Sequence, residues 1–76
     1  MNILITSIGQ RGYLIDHFKE SVQGELGIYA ADATKYAPAL LKADKAFVIP
    51  YANDPEYFPR LLQICKDNDI KGVLSI

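Results

Sequence analysis

The sequence predicts an α/β domain built on a parallel sheet, and three observations carry that prediction. Short apolar, β-branched runs alternate with stretches of helical periodicity along the whole chain. Glycine, proline and aspartate punctuate the junctions between them. The connections between successive strands are long enough to return over the sheet face, as parallel strands require, and such crossovers are right-handed.

Asn2 to Ser7 is a nearly continuous apolar run rich in β-branched residues, the pattern of a strand covered on both faces. Ile8 to Gly12 makes a turn, after which Leu14, Ile15, Phe18 and Val22 form an apolar helical stripe. Asp16, Lys19, Glu20 and Gln23 take the opposite face. Gly24 and Gly27 bracket the helix exit, and Ile28 to Asp32 reads as a second buried strand. The segment from Ala33 to Asp44 is a minimal crossover in which Pro38 opens a short helix through Ala39, Leu40 and Leu41. Lys45 to Pro50 follows as a third strand, stopped by a proline that has no N–H to give a ladder. Asp54 predicts a helix N-cap with Pro55 at the first helical position, and Phe58, Leu61, Leu62 and Cys65 share one helix face. Pro59 predicts a local bend in that helix. Lys71 to Ile76 begins a fourth strand. Doubly wound sheets of this kind take the order 3-2-1-4, which sets a switch point between the first and fourth strands. The loop after Ser7 and whatever follows Ile76 then border one crevice.

Length and composition bound the reading. The 76 residues allow one domain at most, incomplete as a fold, and the half-hydrophobic, 22% charged composition is that of a globular chain. A net charge of -1 leaves no basic stripe for a phosphate backbone, so nucleic acid is not a predicted partner. The apolar runs are too short to span a bilayer and the start is unlike a signal peptide, which predicts a cytoplasmic protein without membrane contact. Cys65, the single cysteine, has no disulfide or metal-cluster partner and is read as packing. His17, mid-helix and without a ligand-spaced partner, is read as structural.

Two places have the look of a binding site. Ser7-Ile-Gly-Gln-Arg-Gly12 lies between a strand and a helix start, where backbone N–H groups and the helix dipole favour phosphate or carboxylate. Its glycines are spaced G-x-x-G, short of the G-x-G-x-x-G that lets a backbone approach a pyrophosphate. Arg11 is either a forked cation on that anion or a solvated helix-start arginine, and both readings stand. Asp32 ends the second strand where a dinucleotide fold keeps its ribose-binding acid, but an aspartate capping the next turn is the commoner role. Tyr36, Tyr51 and Tyr57 are candidates for the crevice, or else core and rim residues. There is no phosphate-binding G-x-x-x-x-G-K-[ST] motif, no paired catalytic carboxylates, no nucleophile with a base and no metal-ligand cluster. The chain alone is therefore predicted to hold no catalytic residue and no metal site, and to be inactive in isolation.

The residues Thr6-Ser-Ile-Gly-Gln-Arg-Gly-Tyr-Leu14, Ala30-Ala-Asp32, Ala37-Pro-Ala39, Ala43-Asp-Lys-Ala46 and Pro50, in that order and spacing, resemble the N-terminal, pre-ATP-grasp domain of ATP-grasp ligases. More narrowly, they are similar to carbamoyl-phosphate synthase large subunit-like proteins. The resemblance covers essentially the whole chain, although Gln10 stands where relatives often carry a basic residue. It implies a Rossmann-like fold and a parent enzyme that uses ATP and magnesium to activate a carboxylate as an acyl phosphate and join it to an amine. It further implies that nucleotide and metal sit on a downstream ATP-grasp domain absent from this chain, which binds no cofactor itself and helps form the substrate side of the cleft. Ser7, Gly9, Arg11 and Asp32 match the turn and strand-end motif, so the resemblance makes them contacts to a small carboxylate or amine substrate, or to the neighbouring domain. Two other classes remain open: an NAD(P)- or nucleotide-binding Rossmann module, and a non-enzymatic interaction domain. A sheet left open at its fourth strand also predicts a homo-oligomer or poor solubility.

Overall fold

The structure is a computed structural model and describes residues 1–75. The chain forms β1 (Asn2–Thr6), α1 (Gly12–Val22), β2 (Gly27–Asp32), a 3₁₀ turn (Pro38–Lys42), β3 (Lys45–Val48), α2 (Tyr57–Asp67) and β4 (Ile70–Ser75). The four strands make one sheet in the order β3-β2-β1-β4, with β1 parallel to β2 and β4, and β2 parallel to β3. This is the Rossmann-like arrangement expected from the alternation of elements. No helix among the described residues is long and apolar enough to cross a membrane.

Connection order decides the layers. The α1 and 3₁₀ crossovers move the chain from β1 to β2 to β3 in one direction, whereas α2 carries it back past β2 and β1 to β4. Right-handed crossovers in opposite directions place their helices on opposite faces. Two cores follow from this. Ile5, Ile8, Ile15, Ile28, Ala30 and Leu40 pack on the α1 side, while Leu4, Ala31, Ile49, Tyr57 and Ile64 pack on the α2 side. β1 is central and serves both, with Leu4 and Ile5 fully buried on opposite faces, which is why its sequence is continuous rather than alternating. Ala30 and Ala31 do the same for β2.

Several expected boundaries shift. β2 begins one residue earlier, at Gly27, and β3 ends at Val48, although the Ile49 N–H still reaches the Asp32 carbonyl at 3.0 Å. β4 begins at Ile70, and Ile76, expected in that strand, lies outside the described residues.

The largest differences concern α2. Asp54 is not its N-cap: Asp54 Oδ1 accepts the Glu56 N–H at 2.8 Å and its carbonyl accepts the Tyr57 N–H at 3.0 Å, closing a turn ahead of the helix. The helix therefore starts at Tyr57, with Glu56 at the cap. Pro59 then sits in the first turn, where an N–H has no partner inside the helix, and the first regular bond runs from Arg60 N–H to the Glu56 carbonyl at 3.0 Å. No ladder bond is lost at Pro59, so the cause of the expected bend is absent. The buried face is also rotated from the expected one. Tyr57 and Ile64 are buried with Leu61 and Cys65 packed beside them, whereas Phe58 and Leu62 are 66% and 61% exposed.

At the amino edge, Asp44 clamps three elements. Its Oδ2 accepts the Ile28 N–H at 2.8 Å, its own N–H donates to the Ile28 carbonyl at 2.9 Å, and its Oδ1 lies 3.3 Å from Lys19 Nζ of α1. The bond from Ile28, and then the Lys19 ammonium, hold its carboxyl below the ordinary value against a smaller opposing effect of burial. A folded pKa below the unfolded one means stability that is fully present above the unfolded value and lost as pH falls through the folded one. Asp44→Asn should thus lower stability at neutral pH by about 1 kcal/mol, a charged hydrogen bond discounted for exposure. It should also flatten the fall in melting temperature below about pH 4. Thermal melts across that range check both effects, and parallel acid limbs in the two proteins would contradict the assignment.

Candidate functional site

Parallel strands bring their carboxyl ends, and the loops that follow, to one rim. There a cleft of about 270 Å³ opens between Ser7 after β1, Asp32 and Ala33 at the end of β2, the segment 49–52 after β3, and Tyr57 at the start of α2. It lies over β1, β2 and β3 on the side covered by α2. The crevice expected between β1 and β4 is displaced accordingly, because the chain dips toward α2 after Val48 and carries Ile49 into the core there.

Ser7 departs from β1 in the left-handed region, with φ of 57°, and its N–H donates to the Ala31 carbonyl at 3.0 Å. A non-glycine residue in a sparsely populated region costs about 1 kcal/mol or more and persists only where its surroundings enforce it. Its side chain is exposed at the cleft.

Gly9 supplies the enforcement. It too is left-handed, with φ of +55°, which a glycine adopts freely. Its N–H donates to Asp32 Oδ2 at 2.8 Å and its carbonyl accepts the Ala39 N–H at 3.1 Å, so the loop is latched from both sides. Asp32 Oδ1 meanwhile accepts the Thr34 N–H at 3.2 Å, and Thr34 Oγ1 accepts the Tyr36 N–H at 3.2 Å. Asp32 is therefore the cap of its own turn and, in addition, the anchor of the loop after β1.

Arg11 occupies the N-cap of α1, its N–H donating to the Ile8 carbonyl and its carbonyl accepting the Leu14 N–H, each at 2.9 Å. Its side chain is exposed, and among the described residues it makes no ion pair. The structure thus brings Ser7, Gly9 and Asp32 together and leaves Arg11 at the same sheet end, outside the cleft lining. Tyr57 belongs to both of its candidate environments, being 9% exposed in the core and at the cleft wall; Tyr51 also lines the cleft, whereas Tyr36 is 80% exposed and does not. Ile49, Pro50 and Ala52 were not anticipated as lining. Their position after a strand's carboxyl end is the signal that finds them, because parallel pairing places that end beside Ser7 and Asp32. His17 stacks edge-on against Tyr13 on the exposed side of α1, and Cys65 packs beside the α2-side core.

The loop does not fit a nucleotide triphosphate. The Gly9 N–H, which would face a phosphate, is taken by the Asp32 carboxylate, and that negative charge stands where a phosphate would lie. The same commitment weakens a dinucleotide reading. Among the described residues no three His, Cys, Asp or Glu side chains are grouped to hold a metal ion.

A latched loop after β1 and a cleft along the carboxyl rim of a 3-2-1-4 parallel sheet define a Rossmann-like binding domain. A family model described as "PylC-like, N-terminal domain" matches residues 3–76, and the chain belongs to that family. This is a pre-ATP-grasp domain of ATP-grasp ligases, the N-terminal part of such an enzyme. Comparison with curated proteins gives no match.

Proposed function

We propose that this domain forms the substrate-side wall of an ATP-dependent carboxylate–amine ligase of the carbamoyl-phosphate synthase large subunit-like kind, with ATP and magnesium held by a downstream ATP-grasp domain. The single observation that carries the reading is the strained Ser7, held at the mouth of the cleft by a loop that Asp32 and Ala39 latch through Gly9. Strain of this kind, kept in place by hydrogen bonds that serve no nucleotide, marks a position selected for contact with something else. In this reading the Ser7 hydroxyl touches substrate, Gly9 and Asp32 position it, and the Arg11 guanidinium on the rim meets substrate or the neighbouring domain.

The test is steady-state kinetics of the ligase that carries this domain. Ser7→Gly keeps the left-handed backbone and removes only the hydroxyl. It should raise the KM of the carboxylate or amine about fivefold, the loss of one hydrogen bond, with the melting temperature unchanged or higher. Arg11→Ala should raise a substrate KM about tenfold if the contact is a forked ion pair. In both variants the KM of ATP should hold constant. A shift confined to ATP would reverse the assignment.

A further inference from the structure

The Ser7–Tyr57 cleft has a chemistry that chooses between the two substrates of a ligation, and the argument rests on the reading of this domain as the substrate side. No Lys or Arg contributes to its lining. The nearest formal charge in the lining is the Asp32 carboxylate, which accepts two backbone N–H bonds and has no cationic partner within ion-pair distance among the described residues. Hydrogen bonds from neutral N–H groups spread that charge but do not cancel it.

The helix behind the cleft does not offset this. The N-terminus of α2 would ordinarily draw an anion, yet its first donors are already used. The Tyr57 N–H is bound to the Asp54 carbonyl, the Glu56 N–H to the Asp54 carboxylate, and Pro59 has none. Asp54 and Glu56 add negative charge at that end.

Tyr57 supplies the neutral polar contact. Only 9% of the residue is exposed, no buried side-chain polar atom among the described residues lacks a partner, and its hydroxyl makes no bond to the protein. The accessible part is thus the hydroxyl, at the cleft wall, facing the Ser7 side across an apolar floor of Ile49 and Pro50. An aromatic face, two hydroxyls, a nearby uncompensated carboxylate and an apolar floor suit an alkylammonium group and repel a carboxylate.

We infer that the cleft binds the amine-bearing substrate of the ligation, taking an alkylammonium group against Tyr57 and Ser7 and excluding anions. The experiment is amide chemical-shift titration of the isotope-labelled full chain with butylammonium, butyrate and inorganic phosphate as separate probes. Butylammonium should give saturable shifts at Ser7, Ala33, Ala52 and Tyr57, about tenfold tighter than either anion, the scale expected for a half-exposed charge. Tyr57→Phe, which keeps the ring in the core, should weaken that binding about fivefold while amides away from the cleft stay in place. Equal or tighter binding of butyrate or phosphate at those residues overturns the ammonium assignment and leaves the cleft as a substrate site. An unaltered Tyr57→Phe affinity overturns the role of the hydroxyl. Shifts from none of the probes overturn both the assignment and the cleft as a substrate site.

Discussion

Ile64→Ala is expected to lower the unfolding free energy by about 3 kcal/mol, whereas Leu62→Ala, two residues away on the same helix, should change it by less than about 0.5 kcal/mol. Ile64 is 1% exposed among Leu4, Ala31, Ile49 and Tyr57, so its truncation leaves a cavity between α2 and the sheet. Leu62 is 61% exposed and has little burial to lose. A domain of this size has little stability in reserve, so the first change should shift the urea midpoint by a large fraction of its value. Comparable losses in both variants would mean that α2 lies on the sheet with Phe58 and Leu62 inward.

That contrast shows how much the sequence alone could settle. Strand identity, parallel pairing and strand order were legible because β1 and β2 are continuous apolar runs separated by helical stretches, a pattern with few topological solutions. The rotation of α2 was not. Phe58, Leu61, Leu62 and Cys65 fit helical spacing as well as Tyr57, Leu61, Ile64 and Cys65 do, and the difference was hidden in the start of the helix. Asp54 and Pro55 form a good N-terminal signal, but Asp54 spends its carboxylate one turn earlier, on Glu56. Once Tyr57 becomes the first helical residue, its ring enters the core and Phe58 is turned outward.

The candidate site divides along similar lines. Parallel strands fixed the rim that carries Ser7, Gly9, Arg11 and Asp32 before any coordinates were known. The partner of each side chain was not fixed, since Asp32 is separated by 23 positions from the Gly9 N–H it holds. Several of the motifs that carry the resemblance turn out to be scaffolding: Ala39 and Asp32 latch Gly9, and Asp44 ties β2 to α1. Their spacing identifies the domain because the rim depends on them for its shape, whichever ligand a given member takes.

Asp32→Ala is the sharper test of that division. It leaves the partly buried Gly9 N–H without its acceptor and also frees the exposed Thr34 N–H, an expected loss of about 2 kcal/mol, most of it from Gly9. That loss is comparable to the strain at Ser7, of order 1–3 kcal/mol, so removing the latch should let Ser7 relax out of its left-handed conformation. Two linked results follow: amide exchange at Gly9 should accelerate toward the unprotected rate, and substrate KM in the ligase should rise more than tenfold, beyond the effect of Ser7→Gly. Asp32→Asn should fall between wild type and alanine, at about 1 kcal/mol, because one oxygen still accepts while the amide nitrogen turns a donor toward a donor. A carboxylate kept for ligand contact predicts a different pattern. In that case the alanine variant would retain Gly9 protection and stability within about 0.5 kcal/mol and lose only affinity. Gly9 exchange rates therefore separate an aspartate that builds the site from one that contacts what enters it, before any substrate is known.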